Sequence, residues 1–268
     1  MRTFLHLAIT LLVVTLGLEL AGRFYLGGDE QPNEAYTALN QFPPHSIQDP
    51  HKNGYLVLLG FANGSGKDPA QVGYEMWLEA KSAGQLWFNY DKEGRLSFQI
   101  DPATVQATVW TDLPFPKRSL LGGKDNALST LVLRYAHWLA MPFDDWGYAF
   151  AGTPRLNDLV AVHRVYVAEG FTSGIESGVD RLVGDLKGWR KVLAFAHTPA
   201  IKIMAAVVVD EDTALLARIL GSHALPPAQL ERMSHASIPL TKDERSWQWP
   251  IRHQVALWLS QGHDPSTS

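Results

Sequence analysis

Residues Glu176 to Ala196 read ESGVDRLVGDLKGWRKVLAFA, and this stretch decides the fold class. Apolar residues recur in this stretch at the spacing of an α-helix, which predicts one amphipathic helix. Its polar face is expected to carry Arg181, Asp185 and Lys187. The apolar positions are Val179, Leu182, Val183, Leu186, Trp189, Val192 and Leu193.

Further helices are predicted on both sides of this stretch. Cap residues and prolines mark their starts, and connections are short, which is typical of antiparallel helix hairpins. We predict helices from Tyr55 to Ala62, from Asp68–Pro69 to Ala83, from Asp125 or Asn126 to Met141, from Asn157 or Asp158 to Phe171, from Pro199 to Leu220, from Pro226–Pro227 onward, and from a Thr241/Glu244 capping box to Gln261.

A small β-hairpin is predicted in the N-terminal part. Leu86, Phe88 and Tyr90 alternate with polar neighbours, residues 91–94 (DKEG) supply a turn, and the alternation resumes at residues 96–100. The expected fold is therefore mainly α: antiparallel helix hairpins or a bundle, with this hairpin, preceded by one N-terminal transmembrane helix.

The N-terminus has the pattern of an export signal. Arg2 precedes a run from Phe4 to Leu18 that is apolar except for one histidine and two threonines. The residues near Leu20 to Gly22 make a poor cleavage site, so an uncleaved anchor is favoured over a signal peptide. The membrane contact is predicted through residues 4–26, with a single pass through a bacterial inner membrane and the C-terminal domain in the periplasm.

Four segments follow from these patterns. Residues 1–26 are the anchor or signal peptide, and residues 27–52, rich in Gly, Pro and polar residues, are an extended tether. Residues 53–262 form a single mainly helical periplasmic domain, and residues 263–268 a disordered tail. The length of 268 residues suits one domain plus a tether.

The composition excludes several function classes. The chain contains no cysteine, which rules out disulfides, thiolate catalysis and cysteine-bound metals. A formal net charge of -4 and the lack of a basic stripe argue against nucleic acid as a partner.

The loop LLGFANGSGKDP, residues 58–69, resembles a phosphate-binding loop but lacks two of its required residues. Phe61 stands where the first glycine belongs, and Asp68 stands where the magnesium-binding hydroxyl belongs. Asp68 is instead a good helix N-cap with Pro69 at the first helical position. No nucleotide is predicted.

No catalytic or metal-binding motif is found. The ten histidines include no pair at i, i+3 or i, i+4, so no metal site and no cofactor are predicted. The carboxylate clusters are Asp144–Asp145 and Asp210–Asp212, and the second of these predicts a solvated kink or a turn between helices. Ser65, Ser173 and Ser177 lie outside any nucleophile elbow.

Aromatic residues suggest a contact surface. Among nine tryptophans, Trp189 and Trp258 stand at core positions of helices. Trp247 and Trp249, with Arg245 and Arg252 nearby, are predicted to bind a protein partner, because Trp and Arg dominate protein interfaces.

The stretches HRVYVA (163–168), GDLKGWRKVLA (184–194) and IKIMAA (201–206), with NGYLVLLGF (53–61), resemble a family of uncharacterised proteobacterial membrane-anchored proteins. The likeness covers most of the chain from Asn53 to Arg245. It implies an N-terminal anchor and a helical exported domain, and it implies no activity and no site residues.

Two functions are carried forward. The first is a membrane-anchored periplasmic binding or accessory protein that acts through protein–protein contacts, as a subunit of an envelope complex or as an immunity-type inhibitor. The alternative is a cell-envelope hydrolase whose histidines and carboxylates come together from distant segments.

Overall fold

The structure is a computed structural model that describes residues 45–64, 66–83, 121, 126–147, 156–222 and 225–261. This part of the chain is mainly helical and contains no strand, which confirms the predicted mainly α class. The N-terminal transmembrane helix of residues 1–26 and the β-hairpin of residues 86–100 lie outside the described residues. The helices are α1 (Gly54–Leu59), α2 (Pro69–Ala83), α3 (Asn126–Ala140), α4 (Leu156–Thr172), α5 (Ile175–Phe195), α6 (Pro199–Ser222), α7 (Pro227–Ala236), α8 (Lys242–Arg245) and α9 (Gln248–Gln261).

Helix α5, the stretch quoted first, is the centre of the packing. It contacts α3, α4, α6, α7 and α8. Its predicted apolar positions are all buried, and Trp189 is completely inaccessible. A two-residue connection joins α4 to α5, and Gly174 in it has a φ of 122°, which only glycine adopts readily. The helices α4, α5 and α6 therefore form successive hairpins around one shared core.

Helices α1 and α2 pack against each other, and α1 also contacts α3. The side chain of Asn53 caps α1 by accepting a hydrogen bond from the Tyr55 amide at 3.0 Å. Asp68 caps α2, since its Oδ1 accepts from the Ala70 amide at 3.1 Å, as predicted. Every residue of α1 is buried.

Residues 45–52, placed in the tether by the sequence analysis, contact the helical domain. The imidazole of His45 stacks on Trp146 with ring centroids 4.8 Å apart, and the Ile47 amide donates to Asp144 Oδ2 at 3.0 Å. Pro50–Lys52 then form a short 3-10 helix.

Three expectations about local structure are wrong. Asp185 was assigned to the polar face of α5 but is completely buried. Asp210–Asp212 neither kink nor interrupt the chain, since all three residues lie within the continuous helix α6, and Asp212 is buried. The Thr241/Glu244 capping box is present, but it caps the four-residue α8, and a separate helix, α9, follows.

The chain divides into two compact units. One is His45–Trp247, which contains α1 to α8, and α9 belongs to the other. Among the described residues, no helix combines the length and the apolar character that a membrane crossing requires.

Two glycines let α1 and α2 approach closely. A Cβ added to Gly73 would lie 1.8 Å from the backbone oxygen of Leu56, and one added to Gly60 would lie 2.0 Å from the backbone oxygen of Pro69. Because both obstacles are backbone atoms, neither can be relieved by a change of rotamer. Glycine at 73 therefore sets the distance between these helices.

We expect Gly73→Ala to lower the free energy of unfolding by about 3 kcal/mol, since overpacking displaces the backbone of α1. Denaturant unfolding of the purified full-length protein in detergent measures this. Gly184→Ala is the matched control, because a Cβ there meets nothing within 4 Å and α5 is helical throughout. It should raise the free energy of unfolding by about 0.5–1 kcal/mol. Equal effects of the two substitutions would contradict the close packing of α1 on α2.

Candidate functional site

Three ionisable side chains from three helices meet in the core. His163 lies on α4, Asp185 on α5 and Asp212 on α6, and each is 0% exposed. Each offers one potential ligand atom, and these atoms all lie within 4.8 Å of one another. We call this group the HDD cluster. The sequence could not show whether distant histidines and carboxylates come together. Here they do, although His163 and Asp185 are 22 positions apart and Asp185 and Asp212 are 27 apart.

Asp185 is the most extensively bonded member of the HDD cluster. Its Oδ1 accepts a hydrogen bond from the hydroxyl of Tyr135 at 2.7 Å, and its Oδ2 lies 2.8 Å from Nδ1 of His163. The Tyr135 hydroxyl in turn accepts from Nε1 of Trp189 at 2.5 Å. A single carboxylate thus links α3, α4 and α5, and the chain of donors fixes its orientation.

The opposite edge of the imidazole faces two acidic residues of α6. Nε2 of His163 is 3.8 Å from Asp212 Oδ1 and 3.8 Å from Glu211 Oε2. Glu211 is bound by Arg164, whose Nε donates to Glu211 Oε2 at 3.0 Å and whose second nitrogen contacts Oε1. The charge of Glu211 is therefore already balanced by a bidentate partner.

Asp212 differs from the other two carboxylates. It is completely buried, and neither of its oxygens receives a hydrogen bond from a donor among the described residues. Burial raises the pKa of Asp212 well above its usual range, and the neighbouring Asp185 carboxylate raises it further. A neutral, protonated Asp212 avoids the repulsion between two adjacent buried carboxylates, and a cation between them would offset the same repulsion.

Tyr135, which is also buried, has a raised pKa as well. Burial raises its pKa well above the usual value, and the charge of Asp185 adds to that effect. The phenol therefore remains a hydrogen-bond donor to Asp185 and does not ionise at physiological pH.

The HDD cluster is suited to two kinds of chemistry. It can keep Asp212 protonated, and it can bind a cation through one imidazole nitrogen and two carboxylates, which are ligands common to transition metals. A substrate cannot contact these groups in this conformation, because all three side chains are sealed from solvent.

Sequence analysis missed this cluster, although its residues carried a signal. Asp185 stands three residues after Leu182 and four before Trp189, which is a core position of α5. Asp212 stands in the same way between Val208 and Leu215 on α6. A carboxylate at a core position of a helix is rare unless it is paired. The positions of Asp185 and Asp212 in the apolar pattern therefore indicated buried, paired carboxylates.

The other carboxylate cluster supports the backbone. Asp144 accepts from Ile47, and Asp145 Oδ2 accepts from the amides of His197 and Thr198 at 2.8 Å each. Asp145 thereby binds the amides of the two residues before α6, where a helix offers no backbone acceptor. Both residues are buried and occupied in holding loops.

The structure separates the predicted contact residues into two sets. Arg245 is exposed at the end of α8, where its Nε donates to the Thr241 carbonyl at 3.3 Å, and Trp247 is half-buried. Trp249 and Arg252 lie together on α9, with the guanidinium carbon 5.2 Å from a ring centroid of the indole. Arg245 and Trp247 belong to the first unit, whereas Trp249 and Arg252 belong to the second.

A second feature lies just before α8. Ile238, Pro239 and Leu240 form an exposed apolar segment, which we call the anchored turn; Ile238 is 54% and Leu240 36% exposed. The guanidinium of Arg190 on α5 donates to the carbonyls of Ala236 at 3.0 Å, Ile238 at 2.8 Å and Pro239 at 3.1 Å.

The segment after the anchored turn is held equally firmly. Arg190 also bonds both carboxylate oxygens of Glu244, at 2.6 and 2.9 Å. Glu244 closes the capping box with Thr241, and the ammonium of the buried Lys202 reaches the Asp243 carbonyl at 3.2 Å. One arginine and one glutamate thus fix a stretch of chain that exposes apolar side chains.

The bonds to Arg190, together with those to Thr241, lower the pKa of Glu244 to about 2, although burial acts in the opposite direction. Because the folded-state pKa lies below the usual value of 4.5, the unfolded chain binds more protons between these values. The stabilisation from Glu244 is complete above about pH 5 and is lost as the pH falls through the folded pKa.

No protein-family model, no curated protein and no solved structure matches this chain. The resemblance to membrane-anchored proteobacterial proteins therefore remains a prediction, and function is argued from the residues alone.

We expect Glu244→Gln to reduce the free energy of unfolding at pH 7 by about 2 kcal/mol, since charged hydrogen bonds to Arg190 are lost. The difference from wild type should shrink as the pH falls from about 5 to about 2, because the wild-type carboxylate then becomes protonated. Denaturant unfolding across this range measures both effects. Glu231→Gln, at an exposed position of α7, is the control and should show no such trend. A Glu244→Gln deficit that stays constant down to pH 2 would contradict the assigned ion pair.

Proposed function

We propose that the protein is a membrane-anchored periplasmic binding or accessory protein that acts through protein–protein contacts, either as a subunit of an envelope complex or as an immunity-type inhibitor. The anchored turn is the observation that carries this proposal. It exposes apolar side chains on a segment whose backbone is fixed by buried and half-buried polar groups.

The cost of this arrangement argues for a binding role. About half of the Ile238 surface and a third of the Leu240 surface stay in water, so this apolar area contributes nothing to folding stability. Arg190 and Glu244, by contrast, are drawn out of water, with side-chain exposures of 11% and 7%. These groups order a segment that leaves apolar surface exposed.

A rigid apolar turn binds at lower entropic cost than a flexible one, because its backbone is already ordered before contact. The charged residues that follow, Lys242, Asp243 and Arg245, are exposed and would form a polar rim beside it. The partner surface expected from this chemistry is an apolar pocket of a protein, bordered by charged groups of both signs.

The tryptophan and arginine residues are separate candidate contacts, each considered within its own unit. Arg252 over the indole of Trp249 keeps both side chains ordered on α9. Trp249 and Arg252 on α9, and Arg245 and Trp247 on the first unit, remain proposed partner contacts in their own right.

The HDD cluster is the observation that favours the alternative, a hydrolase with a site gathered from distant segments. A histidine and two carboxylates brought together from separate helices are the type of arrangement an enzyme would need. Its complete burial places the binding role first, because a general base must come within hydrogen-bonding reach of its substrate.

The location in the envelope is part of the same proposal. Its support is the apolar run from Phe4 to Leu18 behind Arg2, which predicts a single anchor in the bacterial inner membrane. With that anchor the helical domain would face the periplasm, where partners in an envelope complex are within its reach.

The test uses full-length protein with a C-terminal tag, gently extracted from its own membranes and weighed by native mass spectrometry. We expect a protein companion in fixed stoichiometry with the wild type. The double variant Ile238→Ser with Leu240→Ser should retain about a tenth of it or less, since two apolar contacts are lost at the interface.

Leu133→Ser is the matched control, because Leu133 on α3 is 72% exposed and lies outside the anchored turn. It should retain the companion fully, and circular dichroism should show that all variants are folded. A companion that binds the double variant and wild type equally would refute the role of the anchored turn. A bare, cooperatively folding monomer would refute the binding function and favour the hydrolase.

A further inference from the structure

We propose that the HDD cluster is a binding site for one divalent transition-metal ion, with His163, Asp185 and Asp212 as its protein ligands. The three side chains offer one nitrogen and two carboxylate oxygens within 4.8 Å of one another. This set matches the mixed nitrogen and oxygen ligands that zinc and related ions accept.

The buried Asp212 carboxylate points to a cation independently of this clustering. It is 0% exposed, and neither oxygen receives a hydrogen bond from the described residues. A buried carboxyl group normally has donors that offset the loss of water, and Asp145 in the same protein has several. An ion between Asp212 and its neighbours would supply the missing positive charge.

The charges of the site balance with a divalent ion. Asp185 and Asp212 carry two negative charges when ionised, and a neutral imidazole adds none, so one ion of charge +2 neutralises the set. Glu211 does not upset this balance, since Arg164 already pairs with it.

The surroundings resemble the outer shell of metal centres. Ligating carboxylates are usually hydrogen-bonded on the far side, and Tyr135 donates to Asp185 Oδ1 at 2.7 Å. Trp189 fixes the Tyr135 hydroxyl in turn. Glu211, with a side chain 23% exposed next to His163, marks the edge of the cluster nearest to solvent.

The ligand set favours zinc over magnesium. Magnesium keeps several waters and prefers oxygen ligands, whereas this site is dry and includes an imidazole. Because the ligands lie on three different helices, the bound ion would tie α4, α5 and α6 together and would stabilise the fold.

The experiment uses the full-length protein in detergent with a tag that contains no histidine. After treatment with EDTA and dialysis, isothermal titration with zinc chloride should show one ion per chain. Asp212→Asn should weaken binding about 100-fold, and Tyr135→Phe about tenfold, since the latter removes only an outer hydrogen bond.

Asp210→Asn is the matched control, because Asp210 is exposed two residues away on the same helix. It should bind zinc like the wild type, and magnesium chloride should give no saturable heat. Asp212→Asn is nearly isosteric; if it does not fold, Asp212→Glu and Tyr135→Phe provide the comparison. The proposal would be overturned if the wild-type protein bound no zinc. It would also be overturned if the folded Asp212 and Tyr135 variants bound zinc as tightly as the wild type does.

Discussion

The Asp185 carboxylate is the interaction on which the described core depends. It lies in the middle of α5, where an unpaired charge would strongly destabilise the fold. Tyr135 from α3 and His163 from α4 bond its two oxygens, and Trp189 orders the tyrosine. Because these partners come from separate helices, α3, α4 and α5 must take up one relative position to satisfy the group. Apolar packing drives the helices together, and this bonding selects their arrangement.

A second polar group acts in the same way at the surface. Arg190, five residues after Asp185 on α5, bonds three carbonyls and Glu244. It fixes the segment before α8, just as Asp185 fixes the core. Helix α5 therefore carries both of these polar groups. The anchored turn, on which the proposed binding function rests, depends on this helix as directly as the HDD cluster does.

Much of the described fold was predictable from local signals. Periodicity and capping residues placed the helices within a few residues, as with Asp68 before α2 and the apolar stripe of α5. These signals act over one or two turns of chain. The capping box at Thr241 was also identified, but the break after Arg245 was not, although Pro250 in the first turn of α9 is typical of a helix start.

The candidate site was not predictable by motif, since its members lie on three helices. Charge was taken to indicate exposure at Asp185 and Asp212, and this assumption fails when other segments supply partners. The anchored turn was not predicted for a similar reason, because Arg190, which binds its backbone, lies 48 residues before Ile238. Pairing across such separations follows from tertiary packing. The local sequence indicates it only weakly, through a charged residue that stands on the apolar face of a helix.

The most direct test of the central claim is proton NMR of the His163 ring with nitrogen-15 labelled histidine. In the metal-free wild type, a slowly exchanging Nδ1 proton is predicted far downfield, because the Asp185 carboxylate accepts it in a core that is inaccessible to solvent. That resonance should disappear in a folded Asp185→Asn protein. A His163 ring whose protons exchange rapidly with solvent in the wild type would contradict the account.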